Sequence, residues 1–276
     1  MNRLEELRAK VDACDRQVAQ TLEKRMEIIL EIMMVKKELA VPIFSRERER
    51  EVIQKIGNYV ENPEFREEIK GIHTHVLRSC RRIQSRKLFP FHISLVGFMG
   101  SGKTTVGKEL SRLLAMDQID VDKVIEDRAH MSISQIFKEH GEAHFRALER
   151  KTVEELAQYN NIIVFCGGGG IVLDDRNVEN MKKNGVLIWL KASPEVVYER
   201  ISKEGTRPLL KDDMSVAKIE SMMASRLSLY EGAADLVIDT DHKTVEAVSL
   251  EIVEQLMRLD VRRVIELKAF KMNEEA

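Results

Sequence analysis

The chain has 276 residues, of which 43% are hydrophobic and 33% charged, and this composition is typical of a soluble globular protein with room for two modest domains. It contains no apolar run long enough for a membrane span, and its N-terminus, MNRLEELRAK, is charged, so we expect a cytosolic protein without a secretory signal. Three widely separated cysteines argue against a disulfide framework or a zinc site.

The net charge of -2 hides an asymmetry between the two parts of the chain. Residues 1–90 carry 19 Lys+Arg and 15 Asp+Glu (+4), which leaves 25 and 31 (-6) for the rest. A weakly basic front part suits a small anionic ligand, whereas a nucleic-acid partner would need more positive charge and more aromatic residues than the 5% present.

Three prolines, Pro42, Pro63 and Pro90, divide the first 90 residues into three segments with helical periodicity. In the first segment, apolar residues recur at steps of three and four from Leu4 to Val35, which predicts one helix of about 36 residues, roughly 54 Å long. The second helix is expected from Ser45 to Gly57 and the third from Pro63 to Arg86. A first helix this long cannot bury its apolar stripe against two shorter ones, so we expect an intertwined dimer or a coiled coil.

After Pro90 the pattern changes to short β-rich runs that alternate with amphipathic stretches. The runs are HISLVG, NIIVF, GVLIWL and DLVID. This alternation predicts a parallel sheet covered by helices on both faces. The expected organisation is an all-α domain over residues 1–90, an α/β P-loop kinase over 91–258, and a C-terminal extension over 259–276.

The stretch GFMGSGKTT carries the phosphate-binding signal, because Gly97 is followed after four residues by Gly102-Lys103-Thr104, between a strand and a helix. Backbone N–H groups and the helix N-terminus would surround the phosphates, Lys103 would add positive charge, and the Thr104 hydroxyl would reach a magnesium ion. The predicted ATP-binding residues here are Gly97, Gly100, Ser101, Gly102, Lys103, Thr104 and Thr105.

Two further features bear on the phosphoryl acceptor. In IDVDK, we expect Asp120 and Asp122 to share one side of an extended segment at a strand end, where one carboxylate could hold magnesium through water and the other could meet a hydroxyl. The four glycines at 167–170 follow an apolar strand, and they indicate either a close backbone approach to a ligand or a tight turn that binds nothing.

Residues 92–258 resemble shikimate kinase through six motifs in order: GFMGSGKTT, DVD, HFRALE, GGG, RPLL and RLSLY. The resemblance implies ATP as a substrate and Mg²⁺ as the metal, held by Thr104 and Asp120. It further implies that Asp122 meets the hydroxyls of shikimate as orienter and candidate base. The other implied roles are carboxylate binding by Arg146 and Arg226, a backbone N–H from Gly168, and closure over ATP by a lid that carries Arg207.

The cations of the first helix are informative through their spacing. Arg25 and Lys36 are eleven residues apart, so they share a helix face and lie about 16 Å apart along the axis, within reach of one ligand for long side chains. Arg8 lies roughly 25 Å before Arg25. It could therefore join the same site only from an antiparallel helix of a partner chain.

This layout resembles the all-helical class of chorismate mutases over residues 1–88. The resemblance implies a homodimer in which Arg8 of one chain, with Arg25 and Arg48 of the other, holds the two carboxylates of chorismate. The implied contacts to its ether oxygen and hydroxyl come from Lys36, Gln84 and Glu49. Ser45 and Cys80 depart from the family, which commonly has aspartate and serine there.

The sequence therefore predicts a bifunctional enzyme of aromatic amino-acid biosynthesis, with small-molecule substrates and no nucleic-acid or membrane partner. The expected catalytic residues are Lys103, Asp122 and Arg207 in the kinase and Lys36 and Gln84 in the mutase. One alternative is a kinase for another small hydroxy acid, such as gluconate. Another is that the helical part is a ligand sensor or dimerisation module without catalytic activity.

Overall fold

The computed structural model describes residues 2–39, 41–165, 169–202 and 215–259. The chain divides into two compact units, Met1–Lys87 and Leu88–Ala276. Within the described residues, no helix is long and apolar enough to cross a membrane.

The N-terminal unit is all-helical, as predicted. Its helices are α1 (Arg3–Glu38), α2 (Arg46–Tyr59) and α3 (Arg66–Leu88), with a 3-10 turn at Pro63–Phe65 before α3. Helix α1 has 36 residues, the length that the periodicity predicted. It begins with a capping box, in which the Asn2 side chain accepts from a backbone N–H and Glu5 reciprocates.

The apolar stripe of α1 lies largely in water in the single chain. Within α1, every residue of which is described, only Met33 is buried. Seven apolar side chains of the stripe are 42% to 58% exposed: Leu4, Leu7, Val11, Val18, Ile28, Ile32 and Val35. An apolar face of this length is a feature of helices that pack against another chain.

The C-terminal unit is the predicted α/β fold, a five-stranded parallel sheet of order β2-β3-β1-β4-β5. The strands are β1 (His92–Val96), β2 (Asp117–Asp120), β3 (Ile162–Phe165), β4 (Gly185–Lys191) and β5 (Leu236–Asp239). The described helices are α4 (Lys103–Leu114), α5 (Val121–Ala129), α6 (Ile133–Leu156), α7 (Asp175–Lys183), α8 (Pro194–Ser202), α9 (Val216–Ala224), α10 (Leu227–Ala233) and α11 (Val245–Arg258).

The sheet core explains where the loops that follow its strands must lie. Strands β1 and β3 are buried along their whole length, and Ile93 is in register with Ile163 on one side and Val186 on the other. Since all strands are parallel, their carboxyl ends share one edge of the sheet, the usual ligand edge of such folds. That edge carries the loop after β1, the end of β2 and the glycine segment after β3.

One local expectation is wrong: Asp120 and Asp122 do not share one side of an extended segment. Strand β2 ends at Asp120, and helix α5 begins at Val121. The Asp120 carboxylate accepts a hydrogen bond from the Asp122 backbone N–H (3.1 Å), so it is the N-cap of α5. Aspartate is a favoured N-cap residue, so the helix begins here and Asp122 lies in its first turn.

Candidate active sites

The loop between β1 and α4 has a backbone that requires glycine. Gly97, Gly100 and Gly102 all have positive φ, of 147°, 77° and 96°. A Cβ atom at Gly97 would lie 2.5 Å from the carbonyl oxygen of Leu190, so no side chain fits there. Gly102 is the N-cap of helix α4 and offers no side-chain hydrogen bond, and a helix N-terminus of this kind attracts phosphate.

Lys103 is buried in this loop. Its Nζ donates to the carbonyl oxygens of Gly97 and Phe98, both at 2.8 Å. The neighbouring Ser101 hydroxyl is buried and has no hydrogen-bond partner among the described residues. The structure thus brings together all the ATP-binding residues predicted within GFMGSGKTT, with Thr104 and Thr105 exposed on the first turn of α4.

Asp122 lies in a cluster of charges beside this lysine. Burial raises the pKa of Asp122 from 3.8 to about 6, and the negative charges of Asp120 and Glu149 add to the rise, whereas Lys103 opposes it. Burial also raises the pKa of Asp120, although backbone N–H groups and Lys103 counteract the shift. A carboxyl group whose pKa lies near neutrality is suited to accepting a proton from a hydroxyl.

Arg146 is held on α6 by two glutamates. It donates through Nη1 to the buried Glu149 carboxylate (2.9 Å) and through Nη2 to Glu142 (3.1 Å). Burial raises the pKa of Glu149, and the adjacent Arg146 opposes that rise. Glu149 was not predicted as a site residue, although it is three positions after Arg146 in HFRALE and therefore on the same helix face.

Gly169 and Gly170, the described glycines after β3, lie against the phosphate loop and Arg146. A Cβ atom at Gly170 would lie 2.7 Å from Nη2 of Arg146, and one at Gly169 would lie 2.4 Å from the carbonyl oxygen of Gly97. The Tyr230 hydroxyl donates to the Gly169 carbonyl (2.5 Å). Gly169 and Gly170 therefore allow the backbone to lie close to the phosphate loop and to Arg146.

Arg226 lies beside the same loop, with its guanidinium carbon 5.9 Å from the centroid of the Phe98 ring. Gly169 also lies close to Phe98, since a Cβ atom at Gly169 would be 3.2 Å from the Phe98 Cα. Arg226 is therefore near the point where the phosphate loop meets Gly169. Two predicted site residues, Gly168 and Arg207, lie outside the described residues.

Arg200 on α8 is a second residue that sequence reasoning missed. It donates through Nη1 to the carbonyl oxygen of Gly100 (3.3 Å) and through Nη2 to that of Thr240 (2.7 Å). These contacts tie the phosphate loop to the segment after β5. No motif marks Arg200, because its partners are distant in sequence.

The N-terminal unit contains a cavity of about 570 Å³ between its three helices. Five of the six residues predicted to bind chorismate line it: Arg25, Lys36, Arg48, Glu49 and Gln84. The two departures from the family pattern, Ser45 and Cys80, also line this cavity. The sixth residue, Arg8, is exposed near the start of α1 and does not line this cavity.

Hydrogen bonds place the side chains of this cavity. Arg25 donates through Nη1 to the Cys80 sulfur (2.7 Å), and Lys36 donates to the carbonyl oxygens of Pro42 and Ile43 (3.2 and 3.0 Å). Burial lowers the pKa of Lys36, an effect that the nearby Glu49 opposes. The Gln84 side-chain oxygen is buried and has no partner among the described residues.

The cavity also contains Arg81, which was not predicted as a site residue. Arg81 pairs with Glu49 and lies over the Phe44 ring, 4.9 Å from its centroid. It directly follows Cys80 and is three positions before Gln84, so helical spacing could have indicated that it faces the cavity.

A buried lysine in a glycine loop at the carboxyl edge of a parallel sheet, beside a carboxylate, defines a P-loop phosphotransferase. The family model for shikimate kinase matches residues 99–257. The shikimate kinase of Caldanaerobacter subterraneus subsp. tengcongensis is 42% identical over 171 residues, which are 62% of this chain and 99% of that protein. The shikimate kinase of Thermodesulfovibrio yellowstonii is 40% identical over 168 residues, 61% of this chain and 96% of that protein.

Among solved structures, shikimate kinase from Acinetobacter baumannii in complex with shikimate matches with a TM-score of 0.59 and 30% identity, over 63% of this chain and 97% of that one. The chain belongs to the shikimate kinase family. The model for chorismate mutase type II matches residues 7–85. The two domains together make the chain a bifunctional enzyme of aromatic biosynthesis.

Proposed function

We propose that residues 91–258 transfer the γ-phosphoryl group of ATP to shikimate, giving shikimate 3-phosphate, and that residues 1–90 rearrange chorismate to prephenate. The observation that supports the kinase reaction best is the position of Asp122, whose pKa is raised by burial and by the charges of Asp120 and Glu149, whereas the nearby Lys103 opposes the rise. The observation that supports the mutase reaction best is the cavity that brings Arg25, Lys36, Arg48, Glu49 and Gln84 together.

In the kinase, the loop N–H groups and Lys103 bind the phosphates of ATP and neutralise charge as the phosphoryl group moves. The Thr104 hydroxyl and the Asp120 carboxylate would hold Mg²⁺, which binds through one or two protein oxygens together with substrate phosphates and water. The donor types fit this ion, since both residues offer oxygen at the carboxyl edge of the sheet. Bound there, Mg²⁺ supplies charge neutralisation for the phosphate oxygens.

On the acceptor side, Asp122 orients the reacting hydroxyl of shikimate and accepts its proton. Arg146 and Arg226 bind the substrate carboxylate, a role for which the planar guanidinium is suited. Glu149 fixes the Arg146 side chain, so that it is pre-oriented for the substrate. The roles predicted for Gly168, a backbone donor to shikimate, and for Arg207, part of a lid over ATP, stay predictions.

The mutase reaction needs no nucleophile, because chorismate rearranges by a pericyclic step. Cations that hold the two carboxylates select a compact substrate conformer, and Lys36 and Gln84 stabilise the charge that develops on the ether oxygen. Gln84 contacts the ether oxygen through its side-chain Nε2, because an ether oxygen only accepts hydrogen bonds. Glu49 accepts a hydrogen bond from the substrate hydroxyl.

We further propose that the enzyme is a homodimer through its N-terminal domain, with Arg8 of one chain completing the cavity of the other. The exposed apolar stripe of α1 supports this assembly, as does the distance of Arg8 from the cavity residues of its own chain. A complementation assay tests it. Arg8→Ala and Arg25→Ala chains should each be inactive, whereas an equal mixture refolded together should recover about one quarter of the wild-type mutase activity, since random pairing leaves that share of sites intact. No recovery would contradict the shared site.

The cytosolic location expected from the sequence stays a prediction.

The kinase assignment is tested with Asp122→Ala and a panel of hydroxylated acids that includes shikimate and gluconate. We expect ATP-dependent phosphorylation of shikimate by the wild type, and loss of that turnover in the variant with ATP binding retained. The exposed Asp127 on the same helix gives the control, Asp127→Ala. Full turnover by Asp122→Ala, or a preference of the wild type for gluconate, would refute the assignment.

The mutase assignment is tested with Lys36→Ala and with Lys37→Ala, a control at the exposed neighbouring position. Only the first substitution should abolish chorismate conversion. If the wild type converts no chorismate but its kinase rate responds to chorismate or prephenate, the N-terminal domain is a sensor rather than an enzyme.

A further inference from the structure

The cavity of the N-terminal unit has an excess of positive charge that includes two unassigned residues, Lys24 and Arg81. Five cations line it, Lys24, Arg25, Lys36, Arg48 and Arg81, against the single carboxylate of Glu49. Arg81 differs from the other four because it pairs directly with that carboxylate. The cavity proposed to hold a dianion therefore contains a carboxylate that has its own arginine partner.

The Arg81–Glu49 pair is partly removed from water and joins two helices. The side chains of Arg81 and Glu49 are 13% and 28% exposed. Glu49 lies on α2 and Arg81 on α3, so the pair links two walls of the cavity. Phe44 packs under the guanidinium, which fixes its plane.

The guanidinium also has unused hydrogen-bonding capacity. Its Nε is buried and has no acceptor among the described residues, while Nη1 contacts Glu49. An arginine held so firmly presents a fixed donor array rather than a mobile surface charge. Arg81 is thereby placed to determine both the orientation and the effective charge of Glu49.

A partly buried carboxylate beside a dianionic substrate would repel it unless a cation neutralised the carboxylate. Glu49 can therefore serve as a hydroxyl acceptor only if its charge is balanced and its side chain is held in one rotamer. We propose that Arg81 is a positioning residue of the mutase site, which orients Glu49 toward the substrate hydroxyl and cancels its repulsion of the substrate carboxylates. This inference rests on the proposed mutase function of residues 1–90.

The test is a double-mutant cycle in the full-length protein. Arg81→Met keeps an aliphatic stem over Phe44 but removes the charge, and we expect it to lower kcat/KM for chorismate by about 30-fold, mainly through KM, because the unpaired Glu49 repels the substrate. Arg81→Lys should stay within about fivefold of the wild type, since it restores the charge without the planar fork.

Combining Arg81→Met with Glu49→Gln should restore part of the lost activity, because a neutral side chain at position 49 no longer repels the substrate. This rescue, seen in KM, separates positioning from a purely structural tie, for which the double variant would be no better than Arg81→Met. Arg78→Met, at an exposed position of the same helix, is the control and should change nothing. An unchanged far-ultraviolet circular dichroism spectrum and an unchanged oligomer mass in every variant show that the N-terminal helices remain folded.

Failure of the proposed function has a different signature. If the wild type binds chorismate without converting it, the same variants are compared by Kd from calorimetry. A weaker affinity of Arg81→Met that Glu49→Gln rescues supports the positioning role, and additive losses overturn it. If the wild type neither binds nor converts chorismate, both proposals are wrong.

Discussion

Replacing Asp122 with asparagine should stabilise the kinase domain while abolishing its activity. The folded protein raises the pKa of Asp122 from 3.8 to about 6, mainly by burial and then through the charges of Asp120 and Glu149. The ionised carboxylate is therefore less stable in the folded than in the unfolded chain. Asparagine has nearly the same shape and no charge, so it removes this cost.

The size and sign of the effect follow from proton linkage. A pKa rise of about two units, at about 1.4 kcal/mol each, lowers the free energy of unfolding by about 3 kcal/mol at a pH where Asp122 is ionised in both the folded and the unfolded chain. The pKa of Asp122 is higher in the folded than in the unfolded chain, so folding favours its protonated form. The contribution of Asp122 to the free energy of unfolding is therefore fully present below about pH 4 and is lost as the pH rises through about 6. Asp122 is not fully buried, so we expect Asp122→Asn to raise the free energy of unfolding by about 1–3 kcal/mol at pH 8, and by about half as much at pH 5.

Urea unfolding followed by tryptophan fluorescence measures this difference. Trp189 is the single tryptophan of the chain and lies on β4, so its signal reports on the kinase domain alone. Asp127→Asn, at an exposed position of the same helix, is the matched control and should show no such gain. A destabilised Asp122→Asn protein, or a gain that does not change between pH 5 and pH 8, would refute the electrostatic reasoning.

Further predictions concern both reactions. The kinase kcat/KM for shikimate should fall about tenfold per pH unit below about pH 6, because protonation removes the Asp122 base. Glu149→Gln should raise KM for shikimate by about tenfold and leave KM for ATP unchanged in initial-rate assays, because Arg146 loses its charged partner. Cys80→Ser should raise the mutase kcat/KM by about two- to tenfold, measured by chorismate absorbance, because a hydroxyl oxygen accepts the hydrogen bond from Arg25 Nη1 more strongly than sulfur does and so orients this cation better.

Each of these outcomes has its own control. A kinase pH profile that stays flat to pH 5 would remove Asp122 from the role of base. Glu142→Gln changes the more exposed partner of Arg146 and should have the smaller effect on KM for shikimate. Cys14→Ser, at an exposed cysteine, should leave the mutase unchanged, and an equal rate for Cys80→Ser and the wild type would show that the thiol is not limiting.

The sequence predicted those parts of the fold whose signal is periodic. The 36 residues of α1 follow from an uninterrupted three-four pattern, and the parallel sheet follows from apolar runs separated by amphipathic stretches. The prediction that Asp122 lies in an extended segment failed because the motif DVD resembles the end of a strand, whereas Asp120 is the N-cap of a helix. A short strand that runs directly into a helix leaves too few residues for periodicity to show the change.

The site was predictable where it is local in sequence. The phosphate loop and the first turn of α4 form one continuous motif, so the sequence alone predicts that its residues lie together. Arg200 and Arg81 were missed because each acts through a distant partner: Arg200 contacts Gly100 across 100 positions, and Arg81 contacts Glu49 across 32. Such pairings depend on how the elements pack, which a single sequence does not encode in any short pattern.

The most direct test of the central claim, two activities on one chain, is to assay both reactions in the same preparations of wild type, Asp122→Ala and Lys36→Ala. Shikimate-dependent ADP formation reports the kinase, and the loss of chorismate ultraviolet absorbance reports the mutase. We predict that the wild type catalyses both reactions, that Asp122→Ala retains only the mutase, and that Lys36→Ala retains only the kinase. A wild type that catalyses only one reaction, or a variant with both activities intact, would contradict the account.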